Sequence, residues 1–210
     1  MRLVRAACVL AAVLALPGCY NPYRPATPER PTQGVFVLEN FAAPDSVLAT
    51  IERSFAAKSD GSTAYQNSLS AGFVAVHAVE VVNRYVASGG VPPAEWNLTL
   101  ERTNLFPYMA GLRSEAYELS FFRDNTLPAD DDNRSSGSVL YHRYYTLSVL
   151  ADGAVIDTIA IGLADLSMEL DGTRWALTRW SDTFRPDIGV NPVNTKLQSM
   201  GARRLESLAR

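Results

Sequence analysis

From residue 44 onward, the apolar positions repeat first at helical and then at strand spacing. Val47, Leu48, Ile51 and Phe55 lie at i, i+1, i+4 and i+8, one stripe of a helix predicted over 44–58. Pro44 and Asp45 suit its start, and Asp60-Gly61 its stop. A shorter helix follows, capped by Ser62 or Thr63, with Tyr65 and Leu69 on its buried face. The valine-rich stretch from Phe73 to Val82 reads equally as a strand or a buried helix. Gly89-Gly90 and Pro92-Pro93 break the chain, and a third helix is expected to hold Trp96 and Leu100 and to end near Asn104.

After Pro107 the period changes to two. Tyr117, Leu119 and Phe121 alternate with Glu118 and Ser120. Residues 124–137 form a polar loop with an acidic run at Asp130 to Asp132. Val139, Tyr141, Tyr145, Leu147 and Val149 mark a long strand, and Asp152-Gly153 marks a hairpin turn. Val155 to Leu170 is apolar on both parities, which predicts burial on both faces or a bulge near Gly162. Asp171-Gly172 is a second turn, and Arg174 to Trp180 the last strand, which Trp175 and Trp180 should anchor to the core. Residues 195–208 are predicted to end the chain as a helix using Leu197, Met200, Leu205 and Leu208. Helices first and a meander of long strands second give an α+β fold, with N-terminal helices packed on one face of a curved antiparallel sheet.

The segment before residue 44 has a different character. Arg2 and Arg5 precede an uncharged apolar run of eleven residues, Ala6 to Leu16. That is shorter than the ~20 residues that span a bilayer and fits the apolar part of a secretory signal. Leu16-Pro17-Gly18-Cys19 then resembles the lipobox of bacterial lipoproteins, with a large aliphatic residue three before a cysteine and a small one just before it. Pro17 departs from the usual residue at that place. The resemblance implies that residues 1–18 are a signal peptide cut between Gly18 and Cys19, and that the Cys19 thiol takes a diacylglycerol. Two or three acyl chains there would anchor the chain, because one chain binds only marginally at ~0.8 kcal/mol per buried CH₂. Tyr20, where enterobacterial inner-membrane lipoproteins carry Asp, implies an outer-membrane, periplasm-facing location. Within residues 19–34, Pro22, Pro25, Pro28 and Pro31 recur every third position. Such a tether favours extended polyproline II at ~3.1 Å per residue. A single domain is expected over residues 35–210.

Charge and cysteine usage then exclude several classes. Without Arg2 and Arg5, 17 basic residues face 22 acidic ones, so the exported chain carries a net charge of −5. A mildly acidic domain is a poor partner for nucleic acid. Cys8 leaves with the signal and Cys19 is acylated, so no thiol remains for a disulfide, a nucleophile or a metal. His77 and His142 are the only histidines, at no metal-ligand spacing, and no cofactor motif is present. The Asp130 run lacks the Gly that an EF-hand needs at its sixth position, which here is Ser135.

Candidate chemistry is sparse. His142 and Tyr144 share one face of their strand, and they are the candidate pocket residues should that face line an interior. The alternative for both is aromatic cross-strand packing. Asp157 would be a candidate base if buried. With Asp152-Gly153 at the centre of the turn, facing residues have numbers summing to about 305. That register sets Asp157 opposite Ser148, Ile161 opposite Tyr144 and His142 opposite Leu163, and it keeps Asp157 ~13 Å or more from Tyr144. The three residues should therefore not form one catalytic centre.

The helix over "PDSVLATIERSFAAKSDGSTAYQNSLSAGFVAV", the later "TNLF" and the closing "DGTRWALTRWSD" together resemble the nuclear transport factor two superfamily, over about residues 40–185. The resemblance implies a bent sheet wrapped around helices as a cone with an open mouth. It also implies a choice between non-catalytic ligand or partner binding and proton-transfer or hydrolytic chemistry on a small apolar substrate. The expected partners are the lipid bilayer, through acylated Cys19, and a small apolar ligand or an envelope protein. A structural accessory that dimerises through the outer sheet face is a third reading.

Overall fold

The computed structural model describes residues 37–112, 115–186 and 197–209. The signal peptide, Gly18, Cys19, the tether of 19–34 and Thr195 lie outside the described residues. Helix α1 (Pro44–Ala57) buries Val47, Leu48, Ile51 and Phe55, the stripe the spacing predicts, with Pro44 in the first turn. A 3₁₀ turn (Lys58–Gly61) leads into α2 (Ser62–Ser68). Gly61 sits against α1 so closely that a Cβ there would lie 2.0 Å from the Ser54 carbonyl oxygen.

The valine-rich stretch is a strand followed by a helix, and the helix is not the buried one its pattern allowed, since Val81 is its one buried residue. Strand β1 (Leu69–His77) buries Phe73 and Ala75, and after Ala78 the chain turns into α3 (Val79–Ala87). Trp96 is not helical. It lies in a short strand, β2 (Trp96–Asn97), whose Asn97 side chain accepts from the Thr99 and Leu100 amides at 3.1 and 3.2 Å and so starts the next helix. That helix runs well past Asn104, as α4 (Leu98–Leu100), a π-helical segment (Glu101–Leu105) and α5 (Phe106–Leu112). Pro107 lies inside it. Having no N–H, proline cannot close a regular turn, and the wider π segment immediately precedes it.

The sheet comprises β1, β2, β3 (Ala116–Phe122), β4 (Asp131–Asn133), β5 (Ser138–Ala151), β6 (Ala154–Asp171) and β7 (Arg174–Phe184), in the order β2-β1-β7-β6-β5-β3, with β4 also on β5. The meander β5-β6-β7 is antiparallel as predicted, but β1 joins β7 in parallel. The first turn has positive φ at Asp152 and Gly153, the geometry that matches strand twist. The second turn centres one residue later than predicted, since Asp171 faces Arg174. Helix α6 (Met200–Ser207) closes the described chain, and Ala160 bridges to Gln198 just before it. The concave side of the sheet packs on α1, α2 and α6 around one core that includes Trp96, Trp175 and Trp180.

Candidate functional site

Polar groups converge inside the cone, where the apolar pattern alone predicts only core. The π segment supplies Glu101, α2 supplies Tyr65, β2 supplies Trp96, β7 supplies Trp180 and Asp182, β5 supplies Tyr145, β1 supplies His77 and α6 supplies Arg204. Glu101 and Arg204 are fully buried and paired side-on, with Arg204 Nη2 2.8 Å from Oε1 and Nε 2.9 Å from Oε2. Tyr65 donates its hydroxyl to Oε1, and Trp96 Nε1 donates to Oε2 at 2.5 Å. The guanidinium carbon of Arg204 stands 4.7 Å from the centre of the Trp180 ring. Burial alone would push the Glu101 carboxyl up. The Arg204 charge and the donated hydrogen bonds outweigh it and hold the group below its ordinary range. Burial and the neighbouring Glu101 charge push the Tyr65 hydroxyl well up.

A second buried carboxyl adjoins the first. Asp182 accepts from the Tyr145 hydroxyl at 2.5 Å and from the Gly201 amide at 2.6 Å, and Tyr145 itself accepts from the Met200 amide at 2.7 Å. These bonds hold the first turn of α6, where unpaired amides favour negative charge. Burial raises the Asp182 pKa despite them. His77 faces Asp182 across the parallel β1–β7 register and meets Trp96 edge-on at 5.6 Å. Burial and then the Arg204 charge lower its pKa to about 4. Both His77 ring nitrogens, Trp180 Nε1 and Arg204 Nη1 are buried without a hydrogen-bond partner among the described residues. As arranged, the cluster can clamp α6 and orient charge, with both carboxylates buried.

The sequence candidates lie elsewhere. Tyr141 and Tyr145 are the β5 residues that join the core, so His142 and Tyr144 belong to the outer face of the sheet and do not line the cone. His142 Nδ1 meets Asp165 Oδ1 at 2.6 Å, and the Tyr144 hydroxyl meets Thr126 at 3.3 Å. Two irregularities in the β5–β6 pairing move the expected register. His142 faces Asp165, Tyr144 faces Leu163, and Asp157 faces Val149. Asp157 is thus ~20 Å along its strand from the residue opposite Tyr144. Asp130 of the acidic run binds Arg143 and Arg123, at 2.7 and 3.0 Å. Among the described residues no group of three or more His, Cys, Asp or Glu could hold a metal.

Open concavities occur outside the cone. Two adjoining hollows of about 210 and 320 Å³ lie between α3 and α6 and share Val81, Arg84, Gln198 and Ala202. Leu205 and Tyr85 extend the apolar lining of one, Phe184 that of the other. The sequence reading missed the buried cluster, although a signal was present. Arg204 stands four residues after Met200, on the stripe predicted to be buried, and Glu101 sits between the apolar Leu100 and Leu105. A charge on such a stripe calls for an opposite charge facing it.

No protein family matches the chain, and no curated protein does. Several solved structures are similar to it. An NTF2-like protein with a cystatin-like fold from Novosphingobium aromaticivorans has 7% identity and a TM-score of 0.45 over 68% of this chain and 80% of that one. An NTF2-like protein of unknown function from Pseudomonas putida KT2440 has 10% identity and a TM-score of 0.45 over 69% and 88%. An NTF-2 like protein of unknown function from Shewanella oneidensis MR-1 has 14% identity and a TM-score of 0.40 over 66% and 93%.

Proposed function

We propose that this protein is a lipid-anchored binding domain of a bacterial envelope, tethered through acylated Cys19, and that it binds its partner without catalysing a reaction. The partner is an envelope protein or a small apolar ligand, and it docks in the hollows between α3 and α6. One observation carries the reading. The Glu101–Arg204 pair is sealed behind α6 at 0% exposure, whereas the hollows between α3 and α6 are open and offer Val81, Tyr85, Phe184, Ala202 and Leu205 as apolar surface between the polar Arg84, Gln198 and Glu206. Their combined size suits a small ligand or a few anchoring side chains. Val79, Val86 and Val91, all more than half exposed, add apolar surface on and just after α3.

The test is photo-crosslinking in living cells. A crosslinking amino acid at Ser88, in the hollow, should give one discrete adduct, and the same group at Ser181, on the sheet, should give none. Ala202→Trp, which fills the hollow, should abolish the Ser88 adduct. Adducts at Ser181 but not at Ser88 would move the binding face to the sheet and end this reading.

A further inference from the structure

We propose that the cone interior is a binding site for an organic cation, a guanidinium or alkylammonium group, and that α6 occupies it in cis through Arg204. The site lies inside the cone rather than in the α3–α6 hollows, and α6 walls both, through Arg204 on one side and Ala202 on the other. Its first support is that the cage is built without α6. Glu101 is fixed by donors from Tyr65 and Trp96, which come from α2 and β2, and Trp180 provides the aromatic face that Arg204 covers. Remove α6 and the cluster holds two carboxyl groups, Glu101 and Asp182, among aromatic walls. Arg204 is the guanidinium of the cluster, and it leaves with α6. A desolvated carboxylate left unpaired is strongly unfavourable, so the emptied cage selects a cation. A flat or alkylated one gains additionally from the ring face.

The second support is that α6 fits the cage imperfectly. Trp180 Nε1, Arg204 Nη1 and the His77 nitrogens are left without partners around it. A cage completed by its own helix would satisfy them, since buried polar groups are nearly always paired. A cation flanked by an oxygen acceptor could pair with Trp180 Nε1 and His77 where α6 offers nothing. The third support is that α6 is short. The helix spans eight residues and, besides Arg204 itself, is held by Arg203 on the Ile159 carbonyl, by Tyr108 on Glu206, and by the Met200 and Gly201 amides on Tyr145 and Asp182. Gly201 permits this approach, because a Cβ there would lie 2.8 Å from Asp182 Oδ2 and 3.1 Å from His77 Nδ1. Short helices docked on a larger core are the units that open below the global unfolding free energy.

Hydrogen exchange on the full chain tests this, with ethylguanidinium chloride as the probe and equal sodium chloride and equal urea as controls. A ligand that binds only the open form raises the open population. The Met200 and Gly201 amides should therefore exchange about tenfold faster with millimolar ethylguanidinium, while amides in the β5–β6 ladder keep their rates. Glu101→Gln should remove the response. Arg204→Met, which keeps the shape but not the charge, should bind ethylguanidinium saturably, read by tryptophan fluorescence, even if the Glu101 variant does not fold. Acceleration shared equally by the β5–β6 amides, or no acceleration together with no saturable binding to Arg204→Met, would overturn the proposal.

Discussion

Arg204 places a full charge where water does not reach, and its stability depends on one partner. Glu101→Gln leaves that charge buried with a neutral neighbour, so it should cost roughly 3–5 kcal/mol, as breaking one side of a buried pair does. Removing both charges with Glu101→Leu and Arg204→Met should recover most of the loss, and urea midpoints of the single and double variants check the coupling. His77 gives a second test, through pH. Its folded pKa of about 4 lies below its ordinary 6.5, so between those values the unfolded chain binds more protons than the folded one. Stability from this group is full above pH 6.5 and is lost as pH falls toward 4, by about 2–3 kcal/mol. Asp182, with its pKa raised, acts in the opposite sense, because stability linked to it declines as pH rises above 3.8. The His77 loss should therefore show as the difference between wild type and His77→Leu in urea midpoints at pH 7 and pH 4.5. Parallel pH profiles for the two proteins would show that His77 is solvated.

At the scale of elements, periodicity revealed what each segment is wherever one face alone is buried. Helix α1 and strands β3 and β5 were legible because Val47 to Phe55 and Val139 to Val149 keep one period throughout. Trp96 misled because a large apolar residue fits either period, and the two-residue strand that holds it is too short to show one. The buried site was less legible, since its parts are one or two residues on each of seven strands and helices, brought together only by the tertiary fold. Register failed for a specific reason. The β5–β6 ladder shifts between Leu147 and Ser148 and again between Val149 and Leu150, and bulges leave little trace in an apolar run. The residue expected to mark a bulge, Gly162, does something else. A Cβ there would lie 2.5 Å from the Thr183 carbonyl oxygen and 2.6 Å from the Tyr145 hydroxyl. Gly162→Ala should therefore lower stability by about 1–3 kcal/mol, an overpacking cost. The urea midpoint should fall with an unchanged slope.

For the whole molecule, the proposed address and the fold are tested apart. Cys19→Ser should abolish acylation and leave the precursor uncut, while the domain over 35–210 keeps its circular dichroism. Metabolic labelling with a clickable fatty acid, followed by membrane fractionation, checks this. Equal label on wild type and variant would show that Cys19 carries no lipid. The resemblance read from soft, spaced apolar residues pointed to helices on a curved sheet, and that architecture is present. The same resemblance suggested an open mouth, and here α6 lies against the interior, with Met200, Arg204 and Leu205 buried.

The parallel pairing of β1 with β7 has a consequence in time rather than in energy. His77 faces Asp182, and Ala75 faces Trp180, across more than a hundred residues of chain. Every strand between them must be in place before that seam can close, and contacts of such long range slow folding, to roughly milliseconds to seconds. During synthesis β1 and its short neighbour β2 emerge long before β7, the strand on the other side of β1. Ribosome-bound chains stopped before residue 180 should accordingly be cut by protease throughout, and chains released at full length should become resistant in one step. Early resistance of the segment up to residue 112 would show that the helices gain structure without the seam.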